Sequence, residues 1–131
     1  MKLTVLGCYG PYPAAGGACS GYLLEEDGYV VLIDCGSAVL SRLQQHLQVR
    51  ELKAVLLSHL HFDHTADLMV MRYALDYAQS RCLLHRPLPL YSPPEPASAS
   101  RQLLYKDLFE PGLLNAAEPL QLGPFHFTFL E

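Results

Sequence analysis

The stretch Ser58-His59-Leu60-His61-Phe62-Asp63-His64-Thr65 decides how this chain is read. It gathers three histidines and a carboxylate within six positions, directly after the apolar run Ala54-Val55-Leu56-Leu57. That run reads as a buried strand, and Thr65 onward reads as a helix. The cluster therefore belongs to a strand-to-helix loop at the carboxyl end of a strand, where open α/β sheets bind ligands. Residues two apart in an extended segment point the same way, so His59 and His61 can offer imidazoles to one metal ion. Asp63 and His64 follow where the chain turns and can face a second ion. Imidazole and carboxylate donors suit Zn2+, with iron or manganese also compatible. Two ions about 3.5–4 Å apart can hold a bridging hydroxide and clamp a displaced oxygen. A lone histidine in a loop would be read as ordinary surface polarity; four donor-type residues at this spacing are not.

The run His59-Leu60-His61-Phe62-Asp63-His64 resembles the HxHxDH signature of the metallo-β-lactamase superfamily. Other features agree with it in order. Met1-Lys2-Leu3-Thr4-Val5-Leu6-Gly7 resembles the opening strand. Ser20-Gly21-Tyr22-Leu23-Leu24 and Val31-Leu32-Ile33-Asp34-Cys35-Gly36 resemble the second and third strands with the D-x-G turn. The nearest branch is that of the ribonuclease Z-like hydrolases, and the resemblance covers essentially the whole chain. It implies an α/β (α+β) fold, the N-terminal half of an αββα sandwich, with a mixed sheet and flanking helices. It also implies His59, His61, Asp63 and His64 as metal ligands, with Asp63 orienting the attacking water. Complete sites of this kind hold two ions and draw a third histidine, a bridging aspartate and a final histidine from the second half. Residues 1–131 are therefore expected to form a single but incomplete domain.

The function implied is metal-dependent hydrolysis, most naturally of a phosphodiester, either RNA or a smaller molecule such as a cyclic nucleotide. Lactones, thioesters and sulfate esters are used elsewhere in the superfamily. A β-lactamase role does not follow, because fold alone does not assign chemistry. The competing reading is a non-catalytic, metal-poor module. It would expose the apolar face on which the other half packs, and would pair with itself or with a complementing C-terminal half.

Composition sets the outer limits. A chain of 131 residues, half of them hydrophobic, is long enough for a real core. A formal net charge of −4 argues against a broad nucleic-acid footprint. There is no apolar run of membrane-spanning length and no signal-peptide pattern, so a cytoplasmic protein with reduced thiols is expected. Cys8, Cys19, Cys35 and Cys82 have no CxxC spacing and are expected as small core residues.

Along the chain, residues 7–21 read as a glycine- and proline-rich loop, in which Tyr9, Tyr12 and Ser20 are weak candidates for substrate contact. Glu26-Asp27-Gly28 marks a hairpin turn. Asp34 either supports a metal-bound histidine or caps a turn. Ser37 is expected to cap a helix over residues 38–47, with His46 on its solvated side. The helix over residues 67–79 buries Leu68, Met71, Leu75 and Ala78. Its first residue, Asp67, could orient a histidine or favour a helix amino end. Arg72 and Arg81 are expected in solvent. Leu88-Pro89-Leu90-Tyr91 is expected as an edge strand because of its proline, preceded by a structural His85. A further helix is expected over residues 98–108. A hairpin follows over residues 120–130, with its three phenylalanines on one face and His126, no metal ligand, on the other.

Overall fold

The computed structural model describes residues 1–130. The chain forms β1 (Lys2–Gly7), β2 (Gly21–Glu26), β3 (Tyr29–Ile33), α1 (Val39–Leu43), a 3₁₀ turn (Val49–Glu51) and β4 (Ala54–Leu56). It continues with α2 (Phe62–Thr65), α3 (Leu68–Ser80), β5 (Leu88–Ser92), α4 (Ala97–Leu103), β6 (Phe109–Leu113), β7 (Leu120–Leu122) and β8 (Phe125–Phe127).

Strands β1 to β6 lie in chain order in one six-stranded sheet, and β7 and β8 pair separately. β1, β2 and β3 are antiparallel, whereas β3 to β6 run parallel. Connection length explains the change. Asp27 and Gly28 close the β2–β3 hairpin with φ of 50° and 75°, the left-handed geometry of a type I′ turn. Every parallel step instead carries helix, as a crossover requires.

Period-two alternation divides the apolar residues between the two faces of this sheet. Leu6, Leu23, Leu32, Val55, Leu57 and Leu90 pack on one face against the helices. Helix α3 contributes Leu68, Met71 and Leu75, as its spacing predicts, and Ala78 is also buried. Val31, Ala54 and Leu56 point to the other face, where the β7–β8 hairpin covers them with Leu122 and Phe125. Phe127 and Phe129 lie against the same cluster, so the three phenylalanines do share a role. The cover is partial: Leu3 and Val5, on the opposite side of β1 from Leu6, are 58% and 57% exposed.

Several expectations need correction. β5 is not an edge strand, because β4 and β6 flank it on either side. Its proline is tolerated because the β4–β5 ladder begins one residue later, at Val55 opposite Leu90. Beyond it, α4 ends at Leu103, and β6 forms where no strand was expected. Residues Phe109-Glu110-Pro111-Gly112-Leu113 contain two strand-breaking types, which the outer strand of a sheet accommodates. Helix α1 is shorter than residues 38–47, and Ser37 does not cap it. Cys19 and Cys35 are buried as expected, but Cys8 and Cys82 are exposed. Arg72 is half-buried, with its guanidinium 5.1 Å from the Tyr73 ring and 4.8 Å from the Tyr105 ring. No helix among the described residues is long and apolar enough to cross a membrane.

Candidate metal centre

The carboxyl end of β4 carries the chain out of the core. Leu57 is the last fully buried residue before the loop, and its N–H donates to Tyr91 C=O at 2.9 Å. Ser58 to His61 then cross the end of the sheet. His61 stays extended, and one turn of helix, α2, starts immediately after it. That turn is closed by His64 N–H donating to His61 C=O at 3.0 Å and by the Thr65 hydroxyl donating to the same oxygen at 3.1 Å. Reversal of the chain over this turn brings Asp63 and His64 back beside His59. The His59 and His64 ring centroids are 3.7 Å apart.

One donor atom from each of His59, Asp63 and His64 lies within 4.8 Å of the other two. His61 is exposed, with its ring centroid 4.9 Å from that of His59. The structure thus joins residues assigned from spacing to two different ions into one group, with His61 at its rim. The set suits a divalent cation: two imidazole nitrogens and a carboxylate oxygen are ordinary zinc donors, and iron or manganese accepts them too. Partial burial lowers the pKa of His59, and the neighbouring His64 adds to that effect. Both favour the neutral imidazole that a metal needs.

Asp34 is the buried partner of this group. It directly follows β3 with φ of 59° and is only 3% exposed. Its Oδ1 accepts the Ser58 backbone N–H at 2.8 Å, and its Oδ2 accepts the Ser58 hydroxyl at 2.8 Å. The same Oδ2 lies 2.7 Å from His64 Nδ1, which leaves Nε2 of that ring 3.5 Å from Asp63 Oδ2. Of the two readings of Asp34, support of a histidine is what the geometry displays.

The turn after Asp34 is stitched to the metal loop through backbone. Cys35 N–H donates to His64 C=O at 2.7 Å, and Asp67 N–H donates to Cys35 C=O at 3.0 Å. A side chain at Gly36 would collide with the Asp63 carbonyl oxygen and with Cys19. The first loop also approaches the site, since a Cβ at Gly10 would stand 2.9 Å from Asp63 Oδ2. Tyr12, by contrast, is 75% exposed. Asp67 is not hydrogen-bonded to a histidine among the described residues; its Oδ2 accepts the Leu40 N–H of α1 at 2.8 Å, so it serves a helix amino end, though not its own.

His85 and His126 stay away from the cluster. His85 precedes β5, at the end of the parallel strands opposite the metal loop, and lines a separate cavity of about 200 Å³. His126 is exposed on β8, its Nδ1 3.2 Å from Gln121 Oε1. Ser58, Gly10 and Gly36 were not singled out as site residues from the sequence. Adjacency to His59 was a signal for Ser58, and the D-x-G turn was one for Gly36.

Comparison with known proteins bears on the family and the fold. The family model for the metallo-beta-lactamase superfamily matches residues 14–129. The probable metallo-hydrolase YhfI of Bacillus subtilis is 40% identical over 131 residues, all of this chain and 54% of that protein. A crystal structure of the metallo-beta-lactamase fold protein YhfI from Bacillus subtilis superposes with a TM-score of 0.94 at 40% identity, covering 98% of this chain and 52% of that one. The ribonuclease Z of Mycolicibacterium gilvum is 33% identical over 116 residues, 86% of this chain and 39% of that protein. The chain thus spans about half the length, or less, of the curated relatives it matches. With the family match running from the glycine-rich loop through the metal loop to the final hairpin, the chain belongs to the metallo-beta-lactamase superfamily.

Proposed function

We propose that this chain carries the metal-binding half of a metal-dependent hydrolase acting on a phosphodiester, either RNA or a smaller molecule. The observation that carries the reading is the grouping of His59, Asp63 and His64 donor atoms within 4.8 Å, backed by a buried carboxylate at Asp34. His59, His61, Asp63 and His64 would hold the metal, zinc by donor type, with two ions in a complete site. When bound, the metal supplies Lewis acidity toward a phosphoryl oxygen and lowers the pKa of a water molecule.

The chain's own groups do the rest. Asp63 accepts a hydrogen bond from the attacking water and orients it. Asp34 holds the proton on His64 Nδ1, which keeps Nε2 available as a donor. A groove of about 750 Å³ beside the loop, lined by Leu56, Ser58, Pro93, Phe127 and Phe129 among others, lies on the same sheet face as Leu3 and Val5, where a completing segment would form its far wall. The similarity to ribonuclease Z supports the phosphodiester class. Residues 1–131 form one domain in this reading, completed by a further segment that packs on the face bearing Leu3 and Val5 and adds the remaining ligands. A second copy of this chain is the alternative source of that cover.

Metal content per chain, measured by elemental mass spectrometry after exhaustive buffer exchange, tests the reading. Retained zinc, iron or manganese that is lost in H59A and H64A is expected, together with phosphodiester turnover by the completed domain. A metal-free chain with no turnover by the completed domain would overturn it and leave the metal-poor module.

A further inference from the structure

We propose that the Ser58 hydroxyl is a positioning group that fixes the ring tautomer of His59, so that Asp34 sets the protons of two histidines: His64 directly, and His59 through Ser58. Its consequence for metal affinity rests on the metal-site reading above, but the proton arrangement is a property of the chain itself.

A carboxylate accepts hydrogen bonds and donates none. Asp34 Oδ2 faces the Ser58 Oγ at 2.8 Å and His64 Nδ1 at 2.7 Å, so both of those atoms bring a proton to it. Ser58 has one hydroxyl proton, now directed at Asp34. Only lone pairs remain on its oxygen, and His59 Nδ1 lies 3.1 Å from it. That contact is a hydrogen bond only if His59 carries its proton on Nδ1. His64 Nδ1 is also 3.2 Å from the Ser58 oxygen, but its proton has the shorter, charge-assisted path to Asp34. Three protons thus fill three contacts without conflict.

The opposite tautomer fails on energy. If His59 carried its proton on Nε2, the bare Nδ1 would face the Ser58 lone pairs. Ser58 could then satisfy it only by turning its hydroxyl away from Asp34. A hydrogen bond to a carboxylate is roughly twice as strong as a neutral one, so the hydroxyl stays on Asp34. The outcome bears on chemistry. Both rings present an unprotonated Nε2, whereas a neutral histidine free in water favours the proton on Nε2. Without Ser58, the ring of His59 would spend much of its time blocked toward a metal.

Imidazole proton–nitrogen correlation spectra of the metal-free 131-residue chain, labelled at histidine nitrogen and recorded near pH 8, decide the proposal. In the wild type, His59 and His64 should both show the Nδ1–H form. In Ser58→Ala, His59 should move mainly to Nε2–H while His64 is unchanged, and Ser58→Thr should restore the wild-type pattern. Ser58 is exposed, so the truncation opens no cavity. Should the alanine variant not fold, Ser58→Gly, which likewise removes the hydroxyl, gives the same reading. An identical His59 tautomer in wild type and Ser58→Ala, or Nε2–H in the wild type, overturns the proposal. Zinc affinity should also fall about 10- to 100-fold in Ser58→Ala and recover in Ser58→Thr. A wild-type chain that binds no zinc would sink the metal reading alone, since the tautomer spectra still decide the role of Ser58.

Discussion

Asp34 Oδ2 lies 2.7 Å from His64 Nδ1, across 30 residues of sequence. One buried carboxylate therefore ties the end of β3 to the only turn of α2, and does so through a candidate metal ligand. Asp34→Asn tolerates the left-handed backbone at this position but replaces one acceptor by a donor. It should weaken zinc binding about 10- to 100-fold with a modest loss of stability. Asp34→Ala should add a further loss, about 1–3 kcal/mol in chemical denaturation, because the Ser58 and His64 donors are left without their acceptor. Equal zinc affinity in wild type and both variants would remove Asp34 from the site.

Gly36 should be the least replaceable glycine near the metal loop. Its position is fixed by Cys35 N–H donating to His64 C=O on one side and its own N–H donating to Ser20 C=O at 3.0 Å on the other. Any Cβ there pushes on the Asp63 carbonyl, so the strain enters the metal loop as backbone displacement. Gly36→Ala should destabilise the fold by about 1–3 kcal/mol and weaken metal binding in parallel. A denaturation midpoint matching the wild type would show that the turn and the loop are not in contact.

The place of the His59–His64 loop after β4, and helix α3, were legible because their signals are local. The HxHxDH spacing sits between an apolar run and a helical one, and Leu68, Met71 and Leu75 declare their face by spacing alone. The errors came where a partner distant in sequence decides the outcome. Pro89 looks like an edge residue until Val55 pairs with Leu90 rather than with its neighbour. Phe109-Glu110-Pro111-Gly112-Leu113 lacks strand propensity and is recruited by the parallel register of β5. Arg72 looks solvated until Tyr105 arrives from beyond α4.

Asp67 separates a structural role from a functional one. Its carboxylate accepts the Leu40 N–H at 2.8 Å and, among the described residues, is not hydrogen-bonded to a histidine ring. Asp67→Ala should cost about 0.5–2 kcal/mol, the usual worth of a helix-terminal acceptor. Zinc affinity per folded chain should stay within a few-fold of wild type. A loss of metal binding larger than the loss of stability would return Asp67 to the site.

His61 and His85 should differ sharply in the completed domain. His61 is exposed at the rim of the donor group, 4.9 Å from the His59 ring centroid. His61→Ala should abolish metal-dependent hydrolysis while leaving the metal-free fold intact, since no packed volume is lost. His85, at the far end of the parallel strands, should be replaceable by alanine with little change in turnover. Undiminished turnover in the first variant at equal metal loading, or a loss of several hundred-fold in the second, would redraw the ligand map.

The four thiols should divide into two pairs by reactivity. Burial raises the pKa of Cys19, and Asp63 and Asp67 add to that against an opposing hydrogen bond from the Ser37 backbone. Burial pushes Cys35 well above the ordinary thiol value, with the nearby charges of Asp67 and Asp34 reinforcing it. The thiolate is the reactive form, so both effects suppress alkylation, and lack of access suppresses it further. Cys8 and Cys82 are exposed, so reagent reaches them. Brief iodoacetamide treatment of the native chain near pH 8, read by intact mass and peptide mapping, should modify Cys8 and Cys82 alone. Denaturant should release the other two. The Cys35 backbone bonds His64 and Asp67 directly, so labelling of Cys35 in native buffer would mean that the metal loop opens away from β3. In that event zinc, by closing the loop, should slow the labelling of Cys35 while leaving Cys82 unaffected.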